Sequence, residues 1–474
     1  MPRLVGLLVL ALTGAVALVL WWVVGKEPIP VEPSQSATLF GFLNIEYAND
    51  VPRFAMIATA IASAAFLVAL VVIVEQRIGL RYRRSNTEEW APLAPRLVMA
   101  DTRGTFLGEV TVTVLVPAHN EELTLSATLR SLQEQSLPPT RVVVVADNCT
   151  DATEEVARRH GAEVLKSVGN TDKKAGALNQ ALVQILPGLG ENDVVMVMDA
   201  DTVLQANFLL SAVKRFRADR ALMAIGGIFY GEQGHGLLGV FQRNEYVRYG
   251  RELVRRRGMV FVLTGTASLF RPRALRAVAD ARGSRIPGRK GDVYDVASLT
   301  EDNELTIALK SLGALMVSPA ECKVETELMP TWRALWNQRL RWQRGALENI
   351  GAYGLRASTF RYWAQQLGIG YGVFALVSYV VLFVIMVLAV EHWVWFPFWV
   401  ILGVIFMVER LVTAWRAGWS GRIVALLIFP ELIYDLFIQA VFVKGIVDMS
   451  FAREATWRHM SQTDVSAEHQ VETS

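Results

Sequence analysis

Two hydrophobic patterns alternate along the chain: long uninterrupted apolar runs, and short apolar runs broken by polar turns. Leu4–Val24 and Phe54–Val74 are about 20 residues long, the length at which an apolar helix crosses the hydrocarbon core of a bilayer. Gly370–Val390 and Val394–Val408 predict two more spans near the C-terminus. Between about 87 and 353 the hydropathy is that of a soluble domain. The pattern therefore predicts a soluble domain inserted between transmembrane helices.

The charges beside the first two apolar runs predict their orientation. Arg77, Arg81, Arg83 and Arg84 follow the second run, and the positive-inside rule places such arginines, with the soluble domain, in the cytoplasm. The Pro-rich segment between the runs is then extracytoplasmic. A cleaved signal peptide is the alternative for the first run, which exceeds the usual length of a signal peptide's apolar region.

The last apolar stretch, Ile423–Val443, contains Pro430, Glu431 and Asp435. A single crossing would leave the C-terminus outside, whereas a re-entrant segment or a hairpin would keep the basic residues that follow inside. The two acidic side chains could line a polar path through the membrane, or pair with Lys444 or a neighbouring span. The predicted divisions are two transmembrane helices with an extracytoplasmic loop (1–76), the soluble domain with an interface helix at its end (77–353), a second interface helix with C-terminal transmembrane helices (354–460) and a disordered tail (461–474).

The soluble region alternates short apolar strands with helical segments. Strands are predicted at Val110–Val116, Val142–Ala146, Ala162–Lys166 and Val194–Met198, with amphipathic helices between them. Continuous apolar strands joined by helices predict an α/β fold with a Rossmann-like parallel sheet covered on both faces. No G-x-G-x-x-G turn is present, which argues against a dinucleotide and leaves another nucleotide open. Trp332–Ile350, basic and rich in tryptophan, predicts a helix at the lipid surface.

Composition narrows the function classes. The chain has 474 residues, of which 52% are hydrophobic and 19% charged, and this apolar excess agrees with a membrane protein. Its net charge of +2 provides no general basic field, which argues against nucleic acid as a partner. Cys149 and Cys322 lie far apart without metal-ligand spacing, so neither a disulfide framework nor a zinc site is indicated.

Acidic and basic residues stand where strands are predicted to end. Asp199 and Asp201 follow the fourth strand and offer oxygen ligands for Mg²⁺ or Mn²⁺, although strand-end carboxylates also cap helices. Asp147 follows the second strand, where a base or ribose could be held; capping the next helix is its alternative role, one that Asp151 fills equally well. Lys174 lies near a helix start, as suits a phosphate contact, or else in a solvated loop.

Two further groups lie later in the chain. Thr300-Glu301-Asp302 precedes a helical segment and offers a carboxylate that could accept a hydroxyl proton, or simply a good helix start. Gln338-Arg339-Leu340-Arg341-Trp342 offers two guanidiniums and an indole for a pyrophosphate and a sugar, or else a membrane-surface anchor.

The order and spacing of these groups, with Val116-Pro117-Ala118-His119-Asn120-Glu121-Glu122 and Lys174-Ala175-Gly176-Ala177-Leu178-Asn179, resemble the family 2 inverting glycosyltransferases. The similarity covers about Thr111 to Arg344. It is to the membrane-embedded, processive branch that includes cellulose, hyaluronan, chitin-oligosaccharide and poly-N-acetylglucosamine synthases. The resemblance implies a GT-A (Rossmann-like) α/β glycosyltransferase domain between transmembrane helices, with amphipathic interface helices beside it.

The resemblance also implies roles for individual residues. Asp302 would be the catalytic base, and Asp201, with Asp199, would bind Mg²⁺ or Mn²⁺. The residues implied at the nucleotide sugar are Pro117, Asn120, Glu121, Asp147, Lys174 and Asp199. Those implied at the pyrophosphate and the acceptor are Gly265, Thr266, Glu301, Gln338, Arg339, Arg341 and Trp342. Gly265-Thr266-Ala267 follows the strand-like Val260–Leu263 and departs from the wording of cellulose synthases, which argues against cellulose as the product.

The implied function is processive polymerisation of a β-linked polysaccharide from a UDP-sugar, with extrusion across the inner membrane. Its partners would be the UDP-sugar, the growing polysaccharide and the lipid bilayer. Transfer of a single sugar to a lipid or short acceptor is the alternative reaction. A receptor or transporter with a degenerate nucleotide domain is the alternative of another class. The sequence does not specify the donor sugar, the linkage, the oligomeric state or any export partner.

Overall fold

The computed structural model describes residues 90–451, apart from 103–107, 257, 259 and 390–393. It also describes residues 35–48, apart from 41 and 42, and isolated positions elsewhere in the first 77 residues. The first predicted span, apart from Ala11, and the predicted disordered tail lie outside these residues. Two compact units form: an α/β unit that contains residues 79–359, and a helical unit built from residues 1–78 and 360–453.

From residue 111 to residue 198, the α/β unit follows the predicted alternation of strands and helices closely. Its first half contains α1 (Pro95–Asp101), β3 (Thr111–Ala118), α2 (Leu125–Gln133), β4 (Arg141–Ala146), α3 (Thr153–Arg159), β5 (Glu163–Lys166), α4 (Lys173–Ile185), β6 (Asp193–Met198), β7 (Thr202–Leu204) and α5 (Phe208–Ala218). Its second half contains β8 (Leu222–Gly226), β9 (Ile228–Gly231), α6 (Gly236–Arg255), β10 (Ala267–Phe270), α7 (Pro272–Ala281), α8 (Glu301–Ser311), β11 (Leu315–Val317), β12 (Lys323–Thr326) and α9 (Trp332–Tyr353).

Seven strands form the central sheet, in the order β11-β8-β10-β6-β3-β4-β5. Strands β6, β3, β4 and β5 run parallel, which confirms the predicted parallel arrangement. All but the first residue of β3 and of β6 are buried, because helices cover both faces of the sheet. The carboxyl ends of these strands consequently bring the residues that follow them to one edge.

One strand prediction was wrong. Val260–Leu263 is not a strand, and β10 begins only at Ala267. The backbone N–H of Leu263 instead donates to the Thr306 hydroxyl at 2.8 Å, so this segment is held by a side chain of α8. β10 then runs antiparallel between β6 and β8.

The elements that the structure describes in the helical unit include a small sheet and four α-helices. β1 (Gln35–Leu39) and β2 (Leu43–Tyr47) form a hairpin, and β13 (Val394–Trp395) adds to it parallel to β2. The helices are α10 (Phe360–Ala389), α11 (Pro397–Thr413), α12 (Gly418–Leu427) and α13 (Phe429–Ser450). Among the described residues, Phe360–Val381 is long and apolar enough to cross a membrane, and Pro397–Thr413 with Trp415–Leu427 forms a second candidate bent by 52°.

Three boundaries in this unit differ from the prediction. The segment from Phe360 is continuous with the predicted span at Gly370–Val390, so the expected interface helix and span form one helix. Val394 belongs to a strand, because β2 provides it with backbone partners, and α11 starts at Pro397. The last apolar stretch breaks at Ile428, which has φ +56° and separates α12 from α13.

The acidic residues of the last stretch pair with a neighbouring helix. Arg410 of α11 contacts Glu431 at 3.4 Å and Asp435 at 2.5 Å. Lys444 instead pairs with Asp448, one turn further along α13. Pairing with a neighbouring helix was one of the alternatives that the sequence left open, and pairing with Lys444 was wrong.

Candidate active site

The turns after β3 and β4 explain why asparagine follows both strands. Asn120 and Asn148 have φ of +57° and +49°, a left-handed conformation that asparagine adopts more readily than most residues. The Asn120 side chain accepts from the Thr150 N–H at 2.8 Å, and so joins the two turns. Asn120, predicted at the nucleotide sugar, therefore has a backbone-shaping role at the sheet edge. Pro117 lies within β3, three residues before Asn120.

Asp147 follows β4 and is 8% exposed, and its side chain is held through one of its two carboxylate oxygens. Its Oδ1 accepts from Ser167 Oγ at 2.6 Å, from Asn170 Nδ2 at 2.8 Å and from Asn148 Nδ2 at 3.1 Å. Within the described residues, Oδ2 accepts no hydrogen bond. The alternative capping role falls to Asp151, whose Oδ1 accepts from the Thr153 N–H at 3.0 Å.

Lys174 joins the two acidic groups that lie about a hundred residues apart in the sequence. Its Nζ lies 2.5 Å from Asp199 Oδ1 and 3.1 Å from Glu301 Oε1. Burial opposes its charge, but these carboxylates outweigh burial and hold the pKa of Lys174 well above its usual value. Lys174 follows Lys173, whose φ of +55° is uncommon for a residue with a side chain and turns the chain into α4.

Asp302 is held at the N-terminus of α8 by two backbone donors. Its Oδ1 accepts from the Asn303 N–H at 2.7 Å, and its Oδ2 from the Gly265 N–H at 3.1 Å. Burial and the adjacent Glu301 raise the pKa of Asp302 to about 6, despite these donors and the nearby Lys174. A carboxylate with this pKa suits a general base near neutral pH.

Gly265 lies between the charged side chains of Lys174, Asp199 and Asp302. A β-carbon there would lie 3.3 Å from Lys174 Nζ, 3.4 Å from Asp199 Oδ2 and 3.6 Å from Asp302 Oδ2. Its neighbour Thr266 accepts through its carbonyl from the Asp199 N–H at 3.2 Å, and so fixes the end of β6. A glycine at this point leaves room beside all three side chains.

Asp201 lies mainly among other acidic side chains. Burial and the charges of Asp199, Glu327 and Glu121 raise its pKa to about 7. Within the described residues, no three acidic, histidine or cysteine side chains form a preformed metal cage. Mg²⁺ and Mn²⁺ prefer oxygen ligands, and Mg²⁺ usually takes one or two carboxylates and completes its shell with water and phosphate oxygens, which fits the Asp199–Asp201 pair.

Helix α9 carries four of the residues predicted at the pyrophosphate and the acceptor, and two of them, Arg341 and Arg339, have different neighbours. Arg341 is close enough to Glu301 to help lower the pKa of that carboxyl against its burial. Arg339, 4% exposed, contacts Glu245 at 2.9 Å, lies 4.3 Å from the Trp342 ring centroid and donates to Gln338. Arg339 thus fixes its own helix and the Trp342 ring.

Sequence reasoning missed the side chains that hold the predicted ones. Asn170 bonds Asp147 and also donates to the Lys173 carbonyl at 2.7 Å, which links the base of the cleft to the start of α4. Asn179 accepts from the Val293 and Tyr294 N–H groups and places the Tyr294 ring in the wall of the cleft. The Gly169-Asn170 turn signal was visible in the sequence, whereas the partners of Asn179 lie more than a hundred residues away.

The parallel α/β sheet with acidic side chains at its carboxyl edge agrees with the GT-A-like fold that the motif resemblance implied. Residues 110–345 match the family described as "Glycosyltransferase like family 2". This chain therefore contains a family 2 glycosyltransferase domain, as the resemblance of its motifs implied.

The chain is also similar to two curated proteins over about half of its length. The chain is 29% identical over 248 residues to "Probable glycosyltransferase YdaM" of Bacillus subtilis, which covers 49% of this chain and 54% of the relative. It is 26% identical over 249 residues to the poly-beta-1,6-N-acetyl-D-glucosamine synthase of Staphylococcus aureus, which covers 50% of this chain and 55% of that enzyme. The chain thus spans about half the length of the curated relatives it matches.

A solved structure shows the same fold. The mannosyltransferase PcManGT from Pyrobaculum calidifontis, in complex with GDP-Man and Mn²⁺, matches with a TM-score of 0.51 over 84% of this chain and 99% of that one. Because the two sequences are only 17% identical, the likeness establishes the fold alone.

Proposed function

We propose that this chain is an inverting glycosyltransferase that polymerises a β-linked polysaccharide from a UDP-sugar and moves the product across a membrane. The observation that carries the proposal is the convergence of Lys174, Asp199, Gly265, Glu301 and Asp302 in one cleft. The proposed base Asp302, whose pKa is raised, lies there beside the Lys174 ammonium group. That ammonium group also contacts the carboxylates of Asp199 and Glu301. This combination suits the displacement of a negatively charged leaving group by a hydroxyl.

The donor's base would bind at Asp147. Its Oδ1 is saturated by three donors, so Oδ2 is the acceptor that a uracil imino N–H or a ribose hydroxyl would meet. The fixed side chain costs little ordering entropy on binding. This arrangement supports a uridine nucleotide as the donor.

The transfer itself would be a single displacement. Asp302 takes the proton from the acceptor hydroxyl as that oxygen attacks the anomeric carbon, and the configuration inverts because no covalent intermediate forms. Lys174 and Arg341 bring positive charge near the diphosphate as UDP leaves. Mg²⁺ or Mn²⁺ held by Asp201 and Asp199 would supply further charge neutralisation at the diphosphate.

The helical unit supports action at a membrane. α10 and α11 expose large apolar side chains along their length, as lipid-facing helices do. The pairing of β13 with β2 requires the segments around 35–48 and 394–395 to lie on the same side of any bilayer. That agrees with the proposed multi-pass inner-membrane topology, in which both segments are extracytoplasmic and the transferase domain is cytoplasmic. The S. aureus synthase among the relatives supports a polymer as the product.

The test is turnover of a nucleotide-sugar panel by the purified full-length chain, scored by UDP release and by product length. We expect a UDP-sugar to be consumed and Asp302→Asn to lose about 10²- to 10⁴-fold in kcat, the usual contribution of a general base. The exposed Asp280 of α7 provides a matched control, and Asp280→Asn should behave as wild type.

Three outcomes would redirect the proposal. Short, chloroform-soluble products alone would replace polymerisation with transfer of a single sugar to a lipid or short acceptor. Wild-type sugar transfer by Asp302→Asn would remove Asp302 as the base, and no turnover of any panel member would favour a non-catalytic receptor or transporter.

A further inference from the structure

A buried ion pair lies two residues beyond the proposed base. Arg282, directly after α7, and Glu304, in the first turn of α8, are 0% and 2% exposed. Two parallel hydrogen bonds of 2.7 Å join them, from Nη1 to Oε1 and from Nη2 to Oε2. The remaining Arg282 donors bond the carbonyls of Pro287, Asp292 and Val293, so all five N–H groups have partners.

Helix α9 reaches the same first turn of α8 through three residues spaced four apart. Tyr353 donates to Glu304 Oε1 at 2.5 Å, and Asn349 donates to the Thr300 carbonyl and hydroxyl at 3.3 and 3.1 Å. A β-carbon at Gly345 would overlap the Thr300 side chain, so glycine permits the close approach of the two helices. Because residues four apart share one helix face, this row continues the face that carries Arg341 and Trp342.

Stability alone does not account for such a pair. Removing two charges from water costs several kcal/mol per ion, and well-packed apolar residues often replace a buried pair without loss of stability. What an apolar pair cannot supply is direction, since the planar guanidinium fixes Glu304 in one orientation. Within the described residues, the hydrogen bonds to the Asp302 carboxylate come from two backbone N–H groups, one of them in α8, so the position of this carboxylate depends on where α8 lies.

We infer that Arg282, Tyr353 and Asn349 are positioning residues that hold the base Asp302 in register with the helix carrying Arg341 and Trp342. The inference rests on the proposed sugar transfer. It deepens that proposal by linking the group that takes the acceptor proton to the groups at the leaving diphosphate. The same guanidinium also holds the carbonyls just before Tyr294, whose ring lines the cleft beside Asp302.

Tyr353→Phe tests this link with the smallest change, because it removes one hydroxyl and leaves the Arg282–Glu304 pair in place. Arg282→Lys is the stronger change, because it keeps the charge but cannot bond Glu304 and three carbonyls together. The matched control is Arg141→Lys, which breaks a similar two-bond pair with Glu163 at the solvent-exposed starts of strands β4 and β5.

Three measurements are made on the full-length protein in detergent. Calorimetric titration with UDP and MnCl₂ counts competent sites, and UDP release from UDP-N-acetylglucosamine, or from whichever panel donor turns over, gives kcat and KM. Amide hydrogen exchange over residues 300–306 reports directly on the first turns of α8. A loss that is merely structural would lower the number of UDP sites and kcat together.

We expect Tyr353→Phe to lower kcat per UDP site about tenfold, the scale of a small misplacement of a reacting group, with donor KM nearly unchanged. Exchange over 300–306 should become faster, Arg282→Lys should lose more, and Arg141→Lys should match wild type. Unchanged kcat per site in Tyr353→Phe would overturn the inference. If the wild type turned over no donor, the proposed function would fall, and unchanged exchange in Tyr353→Phe would still overturn the positioning role.

Discussion

The raised pKa of Asp302 predicts how the reaction rate depends on pH. The base must be ionised to accept a proton, so kcat/KM should fall as pH decreases through about 6. At pH 5 only about one carboxyl in eleven would be ionised, which gives roughly a tenfold loss relative to pH 7.5. A carboxyl with the ordinary value of 3.8 would lose less than about a tenth over the same range.

The neighbours of Asp302 predict opposite shifts in two variants. Glu301 raises the pKa of Asp302, so Glu301→Gln should move the acid limb to lower pH. Lys174 lowers it, so Lys174→Met should move the limb to higher pH, in addition to weakening donor binding. Tyr249 and Tyr294 also face Asp302, but both stay neutral across this range because burial raises their pKa further.

The assay is the initial rate of UDP release between pH 4.5 and 9 at constant ionic strength. Asp201, with a pKa of about 7, is the competing source of an acid limb. Metal binding displaces its proton, so a limb due to Asp201 should move with Mn²⁺ concentration, whereas a limb due to Asp302 should not. An acid limb that moves with Mn²⁺ concentration would refute the assignment of Asp302 as the base. Shifts of the acid limb in the same direction in Glu301→Gln and Lys174→Met would also refute it.

Two further predictions concern the donor and the metal. Asp147→Ala should raise the donor KM by about tenfold or more with little change in kcat, because it removes a contact equally present in ground and transition states; a fall in kcat alone, measured by initial rates, would contradict this. Asp201→Asn should weaken Mn²⁺ binding, measured by titration with UDP present, and excess EDTA should abolish wild-type turnover; full activity in EDTA would exclude a required divalent ion.

The pattern of apolar and polar residues along the chain was sufficient to predict the central strands of the transferase domain. β3, β4, β5 and β6 are short apolar runs bounded by polar turns, and each was predicted within three residues at either end. Their carboxyl ends are set by sheet geometry, so the grouping of Asp147 and Asp199 at one edge followed from the sequence as well. These features depend on a few consecutive residues.

Features that depend on distant partners were not predictable in this way. Residues 260–270 contain two apolar runs, and the choice of Ala267–Phe270 as β10 depends on the open edges of β6 and β8. Nothing near Arg282 indicates that Glu304 will be its partner across the fold. Pro430 marked a possible helix boundary in the last apolar stretch, but the positive φ of Ile428 was not predictable, because Ile is among the residues least expected in that conformation.

The pairing of β13 with β2 also constrains how the chain is assembled. Val394 pairs with Glu46, so the hairpin made by β1 and β2 has to wait for about 350 further residues before its third strand exists. At about 5–20 residues per second of synthesis, the β2 edge stays open for roughly 20–70 s. During that interval the hairpin presents unpaired backbone groups to any other extended segment. Closure of this small sheet therefore comes long after its hairpin has been synthesised, and it joins two segments that lie about 350 residues apart in the chain.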